Sequence, residues 1–162
     1  MRLAVIADTH LPCGARRLPE ECIRRLRESD AIVHAGDFVS VAALRLLERF
    51  APVFGVWGNM DEPALQTLMP ERRVVEVEGL RIGIVHVPGP ANGRHGRLAT
   101  MFPGCDGVVY GHTHVPEVVR HDGRWILNPG SPTERRRAPA RAMIDVRAEA
   151  SQFIPELVTF PA

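Results

Sequence analysis

The sequence predicts an α/β fold in which two mixed sheets pack face to face, with helices covering the outside. Three observations carry that expectation. In the first half of the chain, apolar β-branched runs alternate with helical-period segments, the order that gives parallel strands joined by right-handed crossovers. From residue 74 onward, short strand patterns follow one another with turn residues between them. Residues able to bind a metal recur at or just after the ends of the apolar runs. In a sheet, such positions lie together along one edge.

Taken in order, residues 2–7 read as a buried strand. Residues 19–28 read as a helix with Cys22, Ile23 and Leu26 on one face. Residues 31–35 form a second strand and 40–50 a second helix, with Leu44 and Leu47 three apart and Ser40 as its cap. Residues 53–57 form a third strand. Asp61 and Pro63 look like the start of a short helix, since proline is favoured in a first helical turn. Residues 74–78 and 80–85 are two strands joined by a tight turn at Gly79. A Gly- and Pro-rich loop spans 88–96, and a short helix ends near Phe102. Residues 108–110 are another buried strand. Residues 118–121 and 124–127 form a hairpin around Asp122-Gly123, a pair suited to a type I′ turn. Strands at 141–146 and 152–158 end the chain. With no internal repeat, linker or low-complexity tract, residues 1–162 are expected to form a single domain.

At 162 residues, a domain buries about 70% of its unfolded surface and needs no disulfide or structural metal to fold. Lys plus Arg number 20 against 19 Asp plus Glu, a balance without a nucleic-acid-binding signature. All the basic residues are Arg, and codon bias explains this more simply than phosphate recognition. Cys13, Cys22 and Cys105 are odd in number and widely spaced, which fits neither a disulfide framework nor a thiolate zinc site. Cys22 and Cys105 are expected to be packing residues. The start of the chain lacks the pattern of a signal peptide. No run approaches ~18 apolar residues, so no membrane span is expected. A cytoplasmic protein is the expectation.

The candidate site is built from Asp8-Thr9-His10, Gly36-Asp37, Gly58-Asn59, His86 and Gly111-His112-Thr113-His114. In an extended segment, Asp8 and His10 would point to the same side, so one carboxylate and one imidazole can meet one ion. His112 and His114 repeat that spacing. Gly36 lets the backbone turn sharply into Asp37, whose two oxygens can bridge ions roughly 3.5–4 Å apart. Asn59 offers a neutral amide oxygen. Asp8, His10, Asp37, Asn59, His86, His112 and His114 would together hold two divalent ions. Those ions bring four positive charges, of which the two carboxylates remove two, and the remainder suits a hydroxide and a phosphate. Four imidazoles without a thiolate favour Mn, Fe, Ni, Co or Zn over Ca. Singly, each of these motifs is common; their ordered conjunction at five strand ends carries the weight.

These motifs, with Asp61, His34-Ala35-Gly36-Asp37 and Asn128-Pro129-Gly130-Ser131, resemble the signature of the calcineurin-like metallophosphoesterases over roughly residues 3–145. The resemblance is greatest to their small phosphodiesterase branch, which includes the retromer scaffold Vps29. It implies a four-layer α/β/β/α sandwich. It also implies one ion held by Asp8, His10, Asp37 and His114, and another held by Asp37, Asn59, His86 and His112. A hydroxide bridging the ions would attack phosphorus in line, and Asn59 would help to orient the phosphate. The implied activity is hydrolysis of a small phosphorylated substrate, most of all a diester. The alternative is a non-catalytic, protein-binding scaffold on the same fold, whose relatives tend to lose the metal-site histidines that this chain keeps.

Two departures from the family pattern stand out. Many larger relatives carry a proton-donating His where this chain has Met60. General acid assistance is worth roughly 10²- to 10⁴-fold, so good leaving groups should be favoured. Small-branch relatives also often read His-Gly-His where this chain reads His86-Val87-Pro88. Arg94, His95 and Arg97, in the following loop, are candidates for clamping a substrate anion, with a solvated rim as the competing reading. Arg135-Arg136-Arg137 is weighed in the same way. His34 is expected to be structural and His121 an inert hairpin residue. A homo-oligomer is compatible with the sequence.

Overall fold

The computed structural model describes residues 1–161. The first half runs β1 (Arg2–Ile6), α1 (Glu20–Arg27), β2 (Ala31–His34), α2 (Val41–Glu48), β3 (Val53–Gly55) and α3 (Pro63–Leu68). The second half runs β4 (Arg72–Val77), β5 (Leu80–Val85), α4 (Arg94–Met101), β6 (Gly107–Tyr110), β7 (Glu117–His121), β8 (Arg124–Asn128), β9 (Arg141–Glu149) and β10 (Gln152–Phe160). The strands form two five-stranded sheets, ordered β10-β9-β1-β2-β3 and β4-β5-β6-β8-β7. Both are mixed. β1, β2 and β3 are parallel to one another, while β9 runs antiparallel to β1. β5, β6 and β8 are parallel, with β4 and β7 antiparallel at the two edges.

Strand alternation explains the layering. Leu3 and Val5 face the second sheet and join Ile82, Ile84, Val109 and Leu127 in one central core. Their neighbours Ala4 and Ile6 point the other way, against Cys22 and Leu26 of α1 and Leu44 and Leu47 of α2. On the far side, α4 lays Leu98 and Phe102 over Val108 and Tyr110, with Cys105 in the same cluster. The expected four-layer α/β/β/α sandwich is therefore the architecture. Among the described residues, no helix is long and apolar enough to cross a membrane.

Local chemistry sets most boundaries. Ser40 caps α2 by accepting from the Ala43 N–H. Pro63 occupies the first turn of α3. Asp122 and Gly123 both take positive φ, as a type I′ turn requires. Two expectations need correction. The strands at 141–146 and 152–158 are longer, running to Glu149 and Phe160. They meet at a tight turn in which Ala150 and Ser151 take positive φ without the Gly or Asn that would have announced it. The loop expected over 88–96 is shorter, because Gly93 takes the left-handed conformation and α4 begins at Arg94. Arg94 and His95 therefore lie on a helix.

The parallel connections place the site. The segments after β1, β2, β3, β5 and β6 all emerge at one edge of the sandwich and carry the five motifs. Backbone bonds run from Asp8 N to Gly36 O, from His10 N to Asp37 O and from Gly111 N to His86 O. They zip the loops together in pairs within each sheet.

Candidate metal centre

Five of the seven candidate ligands have left-handed backbones: Asp8, His10, Asp37, His112 and His114 have φ between 46° and 72°. For non-glycine residues this conformation is uncommon, although Asp and His tolerate it better than most. It persists only where the surroundings impose it. The expected extended geometry for Asp8-x-His10 and His112-x-His114 is therefore replaced by kinks. These segments lie beyond the ends of β1 and β6, and the kinks fold the side chains inward. His112 and His114 reach different partners as a result.

The glycines of the motifs make room for ligands from other loops. A Cβ on Gly58 would sit 2.2 Å from Asp37 Oδ1 and 2.8 Å from the His86 ring. A Cβ on Gly111 would sit 2.8 Å from the Ala35 carbonyl and 3.0 Å from both Asp8 Oδ2 and His86 Nδ1. The pairs Gly58-Asn59 and Gly111-His112 thus combine a ligand with the gap that a neighbouring ligand needs.

All seven side chains converge. Asp37 Oδ2 lies 3.3 Å from both His10 Nε2 and His86 Nε2. Asp8 Oδ1 lies 3.3 Å from His114 Nε2 and 3.9 Å from His10 Nε2. Asn59 Oδ1 is 2.9 Å from both His86 Nε2 and His112 Nδ1. Two subclusters result, one with Asp8, His10 and His114 and one with Asn59, His86 and His112, and Asp37 lies between them. Asp8 Oδ1 also comes within 4.0 Å of His86 Nε2, a cross-contact that the resemblance did not imply. Two sets of three ligand atoms close enough to share an ion stand out: Asp8, His10 and His114, and Asp8, Asp37 and His86.

These residues fit divalent ions. With bonds of about 2.0–2.1 Å to nitrogen or oxygen, two ligand atoms on one ion sit roughly 3 Å apart, close to the separations found here. His10 Nε2 is buried without a hydrogen-bond partner although it faces Asp37. His86 Nδ1 lies 2.7 Å from the Ala35 carbonyl, so Nδ1 carries the proton. Nε2 faces the amide oxygen of Asn59 at 2.9 Å, a contact that needs positive charge between the two atoms, a proton in the metal-free protein or an ion when one is bound.

Electrostatics point the same way. Burial opposes charge on His10, yet Asp37 and Asp8 raise its pKa to about 9. Burial also opposes charge on His86, and Asp37 and Asp8 again raise its pKa. The reciprocal attraction of the histidines outweighs burial and lowers both carboxylates. Without metal, protons supply the positive charge that two buried carboxylates require. His112 shifts down through burial and its neighbour His86, which leaves it a neutral donor.

The supporting residues were only partly legible from the sequence. Asp61 does not cap the short helix, whose first turn is preceded by Glu62. Its buried carboxylate instead accepts from the N–H groups of Asp37, Val39 and Gly58 at 3.2, 2.6 and 2.8 Å, clamping two ligand loops together. Ser131 Oγ donates to the Asp8 carbonyl and Thr133 Oγ1 to the Thr9 carbonyl. His34 is fully buried, stacks on Phe38 and accepts from Gly36 N at Nδ1. Its proton therefore sits on Nε2, directed at Thr9 Oγ1. Glu134, unremarked in the sequence, lies beside His114 with Arg16 and Arg136 upon it.

The candidate anion clamp is occupied elsewhere. His95 Nε2 pairs with Glu117 Oε1 at 2.8 Å, and Tyr110 also donates to Glu117. Arg94 binds the Gly89 carbonyl and lies over the Tyr110 ring. Arg97 binds the carbonyls of Pro88 and Pro90. These side chains pin the loop after His86, and none of the partners named here is a candidate ligand. Met60, Val87 and Val115 directly follow Asn59, His86 and His114 in the chain and are 56%, 46% and 45% exposed.

Residues 1–149 match the calcineurin-like phosphoesterase superfamily domain. A probable metallophosphoesterase from Methanothermobacter thermautotrophicus is 35% identical over 161 residues, covering 98% of this chain and 92% of the relative. Vps29 from Entamoeba histolytica, crystallised with zinc, superposes with a TM-score of 0.76 at 22% identity, covering 99% of this chain and all of the other. An archaeal phosphodiesterase superposes with a TM-score of 0.75 at 21% identity, over 98% of this chain and all of the other.

Proposed function

The chain belongs to the calcineurin-like phosphoesterase superfamily, and on that premise we propose that it is a dinuclear metal-dependent phosphodiesterase. The observation that carries this reading is the placement of Asp37 Oδ2 at 3.3 Å from both His10 Nε2 and His86 Nε2. One carboxylate thereby faces both subclusters. Asp8, His10, Asp37 and His114 would hold one ion, and Asp37, Asn59, His86 and His112 the other. When bound, such ions neutralise charge on phosphoryl oxygens and make a water acidic enough to supply a nucleophile near neutral pH.

The protein's own groups account for the rest. Asp61 and the backbone around Met60 hold Asp37 in place, with Met60 N donating to its Oδ1 at 2.8 Å. His86 is fixed as a donor by the Ala35 carbonyl. Asn59, whose Oδ1 lies 2.9 Å from both His86 Nε2 and His112 Nδ1, would help to orient the phosphate. Met60 has no proton to give, so the leaving group must depart largely unassisted, which favours acidic alcohols. The side chains that directly follow Asn59, His86 and His114 are apolar, and this suits a diester with one negative charge better than a doubly charged monoester.

The test is hydrolysis of bis(p-nitrophenyl) phosphate and p-nitrophenyl phosphate by metal-stripped protein reloaded with Mn, Fe, Ni, Co, Zn or Mg in turn. Metal-dependent diester cleavage exceeding monoester cleavage is expected. Asp37→Ala should lose both ions and nearly all turnover, and retention of two tightly bound ions by that variant would refute the bridging role. The likeness to Vps29 gives the scaffold reading its support. Two bound ions with no turnover under any metal would favour it.

A further inference from the structure

The histidines of the centre differ in how their second ring nitrogen is used. His86 directs Nδ1 at a backbone carbonyl, as described above. His114 has no backbone partner there. Its Nδ1 is buried and lies 3.3 Å from Glu134 Oε1, and both atoms lack a hydrogen-bond partner. Glu134 itself is held firmly. Arg16 donates to Oε2 from Nε at 2.8 Å and also from its terminal nitrogen. Arg136 Nε lies 2.9 Å from Oε1, outside hydrogen-bonding alignment. The other nitrogen of His114, Nε2, faces Asp8 Oδ1 at 3.3 Å.

A histidine ligand has to present a lone pair to the metal, and a carboxylate accepting from its other N–H fixes the tautomer and raises its basicity. We propose that Glu134 is the positioning residue of this centre. Its Oε1 would accept a hydrogen bond from His114 Nδ1–H, fixing the ring so that Nε2 is aimed at the ion it would share with Asp8 and His10. Two buried orphan atoms facing each other at 3.3 Å form such a contact with a small rotation of the imidazole, which also turns Nε2 within the centre. Arg16 and Arg136 keep the carboxylate ionised and tie the loop after His10 to the loop after Ser131. Because Glu134 reaches one subcluster only, its effect should fall on one ion only. Among the described residues, nothing comparable backs His112.

This inference rests on the metal-centre reading, and its test is chosen to separate the two. Calorimetric titration of Mn and of Zn into metal-stripped wild type, Glu134→Ala and Glu134→Gln would give the affinity of each ion. Nitrogen-15 spectra of the metal-free proteins would show whether His114 Nδ1–H is hydrogen-bonded to Glu134. Loss of such a partner typically weakens metal binding 10- to 100-fold. The expected result is a loss of that size for one ion in Glu134→Ala, a smaller loss in Glu134→Gln, and wild-type affinity for the other ion. His114 lies between Asp8 Oδ1 and Glu134 Oε1, so an Nδ1–H signal hydrogen-bonded to Glu134 is expected in the wild type and should be lost in Glu134→Ala. If Glu134→Ala does not fold, Glu134→Gln decides by the same two readouts. Wild-type affinity for both ions, equal losses at both ions, or an unchanged His114 Nδ1–H signal in Glu134→Ala would overturn the proposal. A wild-type chain that took up no ion would sink the proposed function and the affinity effect together. The His114 Nδ1–H signal would still report on the contact between Glu134 and His114.

Discussion

Replacing Gly58 by alanine tests the packing of the centre more sharply than removing a ligand, because it adds a single methyl group and leaves every donor in place. The added Cβ would lie 2.2 Å from Asp37 Oδ1, 2.5 Å from Asp37 N and 2.8 Å from the His86 ring. A carbon needs about 3.3 Å from an oxygen, so the carboxylate must retreat by roughly 1 Å. It cannot do so freely, since Met60 N and the two histidines hold it in place. Displacing a catalytic group by about 1 Å can cost 10²-fold in rate, or about 2.7 kcal/mol. Overpacking a tight site adds about 1–3 kcal/mol of instability, which at this chain length lowers Tm by roughly 2–12 °C. The assays are two-ion titration, diester turnover and thermal melting, with and without metal. A loss of turnover near 10²-fold together with weakened binding at both ions is expected. Unchanged ion affinities with turnover within threefold of wild type would refute the idea that Gly58 is required for Asp37 to bridge.

Other outcomes follow from the same geometry. Met60→His puts a proton donor on a half-exposed side chain beside Asn59. It should speed esters with poor leaving groups by tenfold or more, toward the ~10²–10⁴ worth of general acid catalysis, and barely change p-nitrophenyl esters; an equal effect on both would count against it. Gly83→Ala drives a Cβ to 2.3 Å from the Phe102 ring beneath α4 and should cost at least about 1–3 kcal/mol by denaturant titration, without altering metal affinity. In the metal-free protein, burial lowers the His34 pKa to about 3, so the unfolded chain binds the extra proton below ~6.5 and stability falls as pH drops through that window. His10 works in the opposite sense: its pKa is raised to about 9, so its pairing is complete below ~6.5 and is lost as pH rises through 9. Melting in a chelator should therefore peak near pH ~6.5, and loading metal should remove the alkaline decline, because the ligand form of His10 is already unprotonated. A metal-free Tm that kept rising to pH 9 would contradict this assignment.

The layers were legible in the sequence because each strand is read by its own alternation, as in Leu3 and Val5 against Ala4 and Ile6. The convergence of ligands was legible because parallel strands deliver their loops to one edge. The local geometry was not. The pattern Asp8-x-His10 has the spacing of an extended segment, yet both residues are left-handed, a conformation imposed by contacts from residues 36–38. Asp61 carries the local marks of a helix start, and only the folded chain shows its carboxylate holding Asp37, Val39 and Gly58. Glu134 follows a turn and precedes three arginines, which reads as solvated surface. No local pattern relates it to His114, twenty positions earlier in the chain. Arg94 and His95 misled in the opposite direction, because basic residues after a ligand suggest an anion clamp until Glu117 and the Gly89 carbonyl are seen to occupy them.

The arrangement of the centre bears on the choice between catalyst and scaffold. Asp8 and Asp37 are almost fully buried, and burying charge is costly unless partners compensate. Five ligands add backbone conformations that cost of order 1–3 kcal/mol each where they are strained, with Asp and His toward the low end. A fold that served only to dock partners would gain from apolar replacements of similar volume, since a buried ionic cluster is often less stable than its hydrophobic substitute. The strain and the buried charge are therefore intelligible if ions are to be held at this edge. Ion binding alone does not decide the matter, because a Vps29 on this fold has been crystallised with zinc. Met60, Val87 and Val115 put apolar side chains directly after three of the ligands, while Glu71 and Arg72 line the same pocket as Asn59 and His86. Turnover is therefore the measurement that separates the readings, and diester against monoester rates measure how far those neighbours select the substrate.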